Sequence, residues 1–302
     1  MQHRLLGTDG PEIPVIGLGA WPIGGGMGEL DEAESIATVR TAIDNGITLL
    51  DTAQAYRTSE GTLGRALKDG YRERCFLATK VSRGYAPKDI ETAIENSLRS
   101  LGTDYVDLYQ IHSWNAQYPI EDTMATMAKL QEQGKTRDIG ISNFNAQQMQ
   151  SAYSFAPFHS SQPRYNMFDR NIETKDLAYC AQAGIGILAH SPLAKGLLTG
   201  KYTPDYKFPD GDERTNFPRF QGDLFAQYLA ITDQLKSIAA DKNCTMVQLA
   251  IAWILRRPEI TCVLVGAKNP NQVMGHIDAA DITFSDEELQ RVDGFLQQTP
   301  KG

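Results

Sequence analysis

Along the chain, short apolar runs alternate with longer segments whose apolar positions recur at helical spacing. Runs of strand length lie near 15–19 (VIGLG), 47–51 (ITLLD), 75–80 (CFLATK) and 105–112 (YVDLYQIH). Four more lie near 138–142 (DIGIS), 160–163 (SSQP), 185–190 (IGILAH) and 261–265 (TCVLV). Helices are expected over 31–45, 87–101, 121–133 and 172–183. The first stops at Asn45-Gly46, the second opens on Pro87 and stops before Gly102, and the last two stop before Gly134 and Gly184. Ahead of them, residues 3–14 place Asp9-Gly10 between short apolar flanks, the pattern of a β-hairpin.

Eight strands separated by helices imply parallel pairing, because parallel neighbours need crossover connections. An open doubly wound sheet satisfies the same alternation. The strand count and the length of 302 residues favour a closed (β/α)8 TIM barrel in one domain spanning the chain. Two departures from regular alternation stand out. Residues 200–221 form a Pro- and Gly-rich loop too long for a simple connection, and residues 223–256 carry two helices before the last strand.

The net charge of -8 disfavours binding to a phosphate backbone, while leaving room for a local basic patch. Cys75, Cys180, Cys244 and Cys262 form no CxxC pair and are expected as free thiols. His112, His159, His190 and His276 lack metal-ligand spacing, so no metal is expected. With no apolar stretch of about 18 residues and no leader pattern, no membrane role is expected and a cytoplasmic location is the default. Nothing in the sequence addresses oligomeric state.

In a closed parallel barrel every strand delivers its C-terminal residues to one face, where active sites form. Gly19-Ala20-Trp21 ends the first strand, Asp51 the second, Lys80 the third and His112 the fourth. Ser142-Asn143 ends the fifth, the sixth brings Gln162, and the seventh ends at His190-Ser191. Any one of these has an ordinary structural reading, as a capped turn, a solvated charge or a hydrogen-bonded barrel histidine. Their convergence is what points to chemistry.

On these residues the sequence resembles the aldo-keto reductase family over nearly its whole length. The matching motifs begin with Gly17-Leu18-Gly19-Ala20-Trp21, Leu50-Asp51-Thr52-Ala53 with Tyr56, and Ala78-Thr79-Lys80. They continue through Ser97 to Leu108 into His112, Gly140-Ile141-Ser142-Asn143-Phe144, and Gln162 with Tyr165-Asn166. Ser191-Pro192-Leu193 with Gly196-Leu197-Leu198-Thr199-Gly200 completes the series. The resemblance implies an oxidoreductase that reduces aldehydes or ketones by hydride transfer from NADPH. Tyr56 would be the general acid, and Lys80, oriented by Asp51, would lower the phenol pKa. His112 would hydrogen-bond the carbonyl oxygen.

The same resemblance implies a cofactor site. Ser142, Asn143 and Gln162 suit the nicotinamide carboxamide, with Gly19, Ala20, Trp21 and Asp51 beside it. Ser191, Pro192, Leu193, Lys195 and Gly196 would follow the pyrophosphate. Gly266, Lys268 and Gln272 match the segment that meets the adenosine 2′-phosphate in relatives, and a helix opening near Pro270 would add its N-terminal amides. Lys268 therefore favours NADPH, with NADH also possible. The run Gly24-Gly25-Gly26-Met27-Gly28 does not fit a dinucleotide fingerprint and reads as a flexible loop at the site mouth.

One departure concerns the ring that stacks on nicotinamide. Relatives commonly carry Tyr just before Ser-Pro-Leu, and this chain carries His190. Imidazole offers less area and can titrate near neutral pH, so a tighter or pH-dependent cofactor interaction is expected. Trp21, Ile23, Tyr56, Tyr85, His112 and Trp114 are expected to line the opening for a small-molecule carbonyl substrate of moderate apolar size. Two other readings compete: an aldolase forming a Schiff base on Lys80, and a non-catalytic NADPH-binding subunit.

Overall fold

A computed structural model describes residues 1–28, 30–209 and 211–300. Asp210 of the long loop lies outside the described residues. Strands β1 (His3–Leu5) and β2 (Glu12–Pro14) pair antiparallel. The expected hairpin is present, but its connection is six residues long rather than a tight Asp9-Gly10 turn. Leu6 donates its N–H to Pro11 O at 2.9 Å and turns its side chain away from solvent, which lengthens the link.

Strands β3 (Ile16–Gly19), β4 (Leu49–Asp51), β5 (Phe76–Val81), β6 (Val106–Ile111), β7 (Thr136–Ser142), β8 (Ser160–Gln162), β9 (Gly186–His190) and β10 (Ile260–Val265) follow. They close a parallel barrel in the order β10-β3-β4-β5-β6-β7-β8-β9. All eight expected strands are observed, with ends shifted by one or two residues. Helices α1 (Glu32–Asp44), α2 (Ser59–Ala66), α3 (Pro87–Leu101), α4 (Ile120–Glu132), α5 (Ala146–Tyr153) and α6 (Asp176–Ala183) wrap it. The ring is completed by α7 (Gly222–Asp241), α8 (Met246–Leu255), α9 (Pro270–Ile277) and α10 (Asp286–Leu296). Gly102 and Gly184 terminate α3 and α6 in the left-handed region, as the helix–Gly–strand joins require. A 3-10 turn takes up Asn171–Glu173, so α6 starts four residues later than expected.

Side chains alternate faces along a strand, and that alternation positions the site. Leu49, Ala78, Leu108 and Leu188 point into the barrel, where they pack with Cys262 and Leu264 and are closed from below by Leu6 and Ile13. Two residues further on, the same face presents Asp51, Lys80, Gln110 and His190. The lower interior is thus apolar, and the upper interior is polar.

The 200–221 loop is compact. Tyr202, Tyr206, Phe208 and Phe220 pack with Phe225 of α7. Within it Arg214 and Asp212 form a buried ion pair, and Arg214 also donates to Tyr202 Oη at 2.5 Å.

Candidate active site

Lys80 is fully buried, and its ammonium has three partners. Nζ donates to Asp51 Oδ1 at 2.5 Å and to Thr52 O at 2.8 Å, and it lies 3.5 Å from Tyr56 Oη. The other Asp51 oxygen accepts from Gln162 Nε2 at 2.9 Å and Gln110 Nε2 at 3.2 Å. The carboxylate is therefore satisfied on both sides without water. Burial alone pulls the Lys80 pKa down, but Asp51 and then Tyr56 outweigh it, and the group is held above its ordinary value as a firm cation.

Tyr56 corrects an expectation. Burial is the largest influence on its phenol and raises the pKa; Lys80 lowers it and Asp51 raises it again, leaving the phenol above its ordinary value. In the absence of substrate Tyr56 thus keeps its proton. Its ring meets Trp21 and His112 edge-on, with centroids 4.9 Å and 5.6 Å apart. His112 is pushed down to about 4 by burial and then by Lys80, so its imidazole is neutral at neutral pH. Its Nδ1 sits 2.6 Å from Ser82 Oγ, just beyond β5.

The residues expected around a carboxamide do converge. Ser142 Oγ donates to Gln162 O at 2.8 Å, and Asn143 Nδ2 donates to His112 O and Ser142 Oγ, each at 3.0 Å. Asn143 adopts φ 57, which turns its exposed amide over the mouth. His190 lies within 2.9 Å of both Asn143 Oδ1 and Ser191 Oγ. Burial, then Arg164 and Lys80, push His190 down to about 3. The expected titration near neutral pH is therefore overturned, because the site desolvates the ring among cations.

Beyond His190 the backbone winds through positive φ at Ser191, Ala194, Lys195 and Gly196. Pro192 is buried and Leu193 half-buried in that turn. Ser191, Ala194 and Lys195 line a cavity of about 130 Å³ whose other walls include Arg164 and Arg219. Lys195 Nζ pairs with Glu213 at 2.6 Å, and the same carboxylate oxygen accepts from Trp21 Nε1 at 3.2 Å. Glu213 thus ties the long loop across to the end of β3, where Gly19 and the buried Ala20 lie beside Asp51; Ala20 N donates to Asp51 O at 2.8 Å.

Gly266, Lys268 and Gln272 lie at the entry to α9, which opens on Pro270 as expected. Lys268 Nζ donates to Met27 O, and its backbone N–H donates to Gln272 Oε1 at 2.8 Å. The glycine-rich run is therefore pinned at the mouth by this contact and by Arg57, which donates to Gly25 O at 3.1 Å. On the substrate side, Trp21 and Trp114 are half-exposed, and Trp114 packs edge-on to Phe144 at 5.3 Å. Ile23 and Tyr85 are buried, and Tyr85 packs on Tyr118 and reaches Ser113 at 3.2 Å. They support the wall from behind.

The Aldo/keto reductase family model matches residues 15–297. The chain belongs to the aldo/keto reductase family. Aldo-keto reductase YhdN of Bacillus subtilis is 39% identical to it, covering 99% of this chain and 95% of that protein. The NADH-specific methylglyoxal reductase of Escherichia coli is 33% identical, covering 95% and 96%. Among solved structures, the glycerol dehydrogenase AKR11B4 from Gluconobacter oxydans superposes with a TM-score of 0.89 at 34% identity, covering 99% and 96%. The thermostable aldo-keto reductase Tm1743 in complex with epalrestat gives 0.79 at 31% identity, covering 98% and 100%.

This aldo/keto reductase therefore carries oxidoreductase chemistry on carbonyl compounds in a closed barrel. Gln110, Ser82, Glu213 and Arg164 also stand at the site, and no motif in the sequence marks them. Gln110 was within reach of parity, since it precedes His112 by two positions on the strand that delivers it.

The buried imidazoles also couple the reductase's stability to pH. His112, His190 and His276 are held at about 4, 3 and 4, with burial the leading cause in each. Unfolding returns them to about 6.5, so below that pH the unfolded chain binds more protons. Stability is then lost as pH falls through 6 toward 4. His159, raised chiefly by its hydrogen bond to Asp138, works in the opposite sense and offsets part of the loss. Urea midpoints measured between pH 7.5 and 4.5 should fall with pH; a constant or rising midpoint contradicts this account.

Proposed function

We propose that this aldo/keto reductase reduces aldehydes or ketones to alcohols with NADPH, using Tyr56 as the general acid. The observation that carries the reading is the buried chain Asp51–Lys80–Tyr56 ending beside His112. When bound, the reduced nicotinamide supplies the hydrogen and electron pair that the carbonyl carbon takes up.

The residues fit such a cofactor. Gln162 uses its Nε2 on Asp51 and Gln110, while no donor among the described residues reaches its Oε1. That leaves an acceptor for a carboxamide beside the exposed Asn143. The cavity next to the 191–196 turn is walled by Arg164, Lys195 and Arg219; Asp169 pairs with Arg219 and Glu213 with Lys195, so Arg164 is the wall cation best placed to meet phosphate charge.

Tyr56 places its proton on the carbonyl oxygen as negative charge develops there. Lys80 stabilises the phenolate left behind, and Asp51 keeps Lys80 charged and oriented. His112 donates a hydrogen bond to the same oxygen and orients the substrate. A Schiff-base role for Lys80 is disfavoured, because a nucleophilic amine must be neutral and reachable whereas this one is cationic and fully buried.

Lys268 is the residue proposed to favour NADPH over NADH, by pairing with the 2′-phosphate after leaving Met27 O. One relative is named NADH-specific, and cofactor preference is tested separately from carbonyl reduction. Lys268→Ala should lower kcat/KM with NADPH by about 10-fold or more, the scale of one charged hydrogen bond, and leave NADH nearly unaffected. Equal efficiency of the unmodified protein with both cofactors would remove NADPH preference from the proposal.

A further inference from the structure

The site holds two neutral histidines, and each has a serine hydroxyl at Nδ1. Ser191 Oγ lies 2.9 Å from His190 Nδ1, and Ser82 Oγ lies 2.6 Å from His112 Nδ1. A neutral imidazole has one N–H, so the nitrogen that carries it decides what the ring can do.

For His190 the answer follows from its neighbours. Asn143 spends its Nδ2 as donor to His112 O and Ser142 Oγ, so its Oδ1 is the acceptor facing His190 Nε2. Nε2 must then carry the proton, and Nδ1 accepts from Ser191. The proton of His190 is consumed within the protein, holding Asn143 in place.

For His112 the serine decides. The other acceptor near Ser82 Oγ is Lys80 O at 3.4 Å, too long for a good hydroxyl bond, whereas 2.6 Å to Nδ1 is short and strong. The Ser82 proton therefore belongs on the line to Nδ1. No group among the described residues bonds to His112 Nε2, and the Tyr56 ring stands edge-on to the imidazole at 5.6 Å. The two rings share a tautomer and differ in its use: one proton is taken up internally and the other is left for a ligand.

We propose that Ser82 is a positioning residue that locks His112 as the Nε2–H tautomer, so that His112 serves as a fixed hydrogen-bond donor to the carbonyl oxygen while Tyr56 supplies the proton. The opposite tautomer would present a lone pair to a carbonyl lone pair and repel substrate. This inference rests on the reading that His112 faces the reacting oxygen. Ser82 itself is half-buried and, among the described residues, forms no hydrogen bond with Tyr56 or with Lys80 Nζ; its backbone N donates to Gln54 Oε1 at 3.3 Å.

The test is long-range 1H–15N spectroscopy of the imidazoles in 15N-labelled full-length protein at pH 7, with the His112 signals identified by their loss in His112→Gln. The expected result is a protonated Nε2 and a bare, hydrogen-bonded Nδ1 in the unmodified protein, and a mixture of tautomers in Ser82→Ala. Turnover of methylglyoxal by Ser82→Ala should fall about 10-fold in kcat, the upper range for one neutral hydrogen bond, with KM for NADPH within about two-fold. A protonated Nδ1 in the unmodified protein, or the same tautomer after removal of the hydroxyl, overturns the proposal. So does a changed tautomer with unchanged kcat. Absence of carbonyl turnover in the unmodified protein would instead defeat the functional reading, and the spectra would still report on Ser82.

Discussion

Tyr56→Phe is expected to lower kcat for carbonyl reduction by about 10³-fold, within the range of a positioned general acid, while NADPH affinity changes by less than about two-fold. Among the described residues, the phenol is the one group beside His112 that combines a dissociable proton with an adjacent ammonium. Burial holds that proton in place before reaction, so the acid is fully loaded at neutral pH. Once the carbonyl oxygen gains charge it becomes far more basic than a phenolate. Transfer is then downhill, and Lys80 at 3.5 Å stabilises the anion formed. The ring's packing on Trp21 survives the change to Phe, so the loss should fall on kcat. Steady-state kinetics with cofactor-fluorescence titration checks both halves, and full turnover in the variant would remove Tyr56 from the acid role.

Lys80→Met should be the more damaging change, because it strikes stability as well as turnover. Asp51 is buried, and removing its cation leaves a carboxylate served only by two amides. Breaking a buried pair from one side costs about 3–5 kcal/mol. For a chain of this size that corresponds to a drop in Tm of roughly 5–8 °C. The double variant Asp51→Asn with Lys80→Met, which removes the orphaned charge, should recover most of the lost Tm and none of the activity. Calorimetry of the single and double variants decides it. A double variant as unstable as Lys80→Met alone would show that packing, and not the unpaired charge, sets the cost.

Much of this architecture was legible in the sequence because barrel strands obey two local rules. Apolar runs mark the strands, and a closed parallel barrel delivers every strand's C-terminal end to one face, so Asp51, Lys80 and His190 fall on a common face from the sequence pattern alone. Helices α2, α5 and α10 were not expected from the sequence, and for the first two the reason is physical. The segment over α2 contains Gly61 and Gly64, which argue locally against a helix. Yet a Cβ at Gly64 would stand 2.5 Å from Ser100 O, so the glycine permits close packing on α3. Helix α5 buries only Met149 and Ala152, too thin a stripe to show as periodicity.

The site's electrostatics were less accessible to sequence. The family resemblance implies a lowered phenol pKa, and it is silent on the desolvation that outweighs the lysine. His190 shows the same gap, since its neutrality comes from burial among Arg164, Lys80 and Lys195, residues brought together from separate strands and loops. Ser82 meets His112 only because β5 and β6 lie side by side in register, and Glu213 reaches Trp21 from the long loop; both join segments distant in sequence, and no local pattern encodes them.

The most direct test of the central claim is steady-state oxidation of NADPH by the unmodified protein against a panel of aldehydes and ketones, with product analysis. The account predicts cofactor consumption matched by an equal amount of alcohol for at least some members of the panel. Tight NADPH binding with no consumption across the whole panel would contradict it and would mark the chain as a binding subunit.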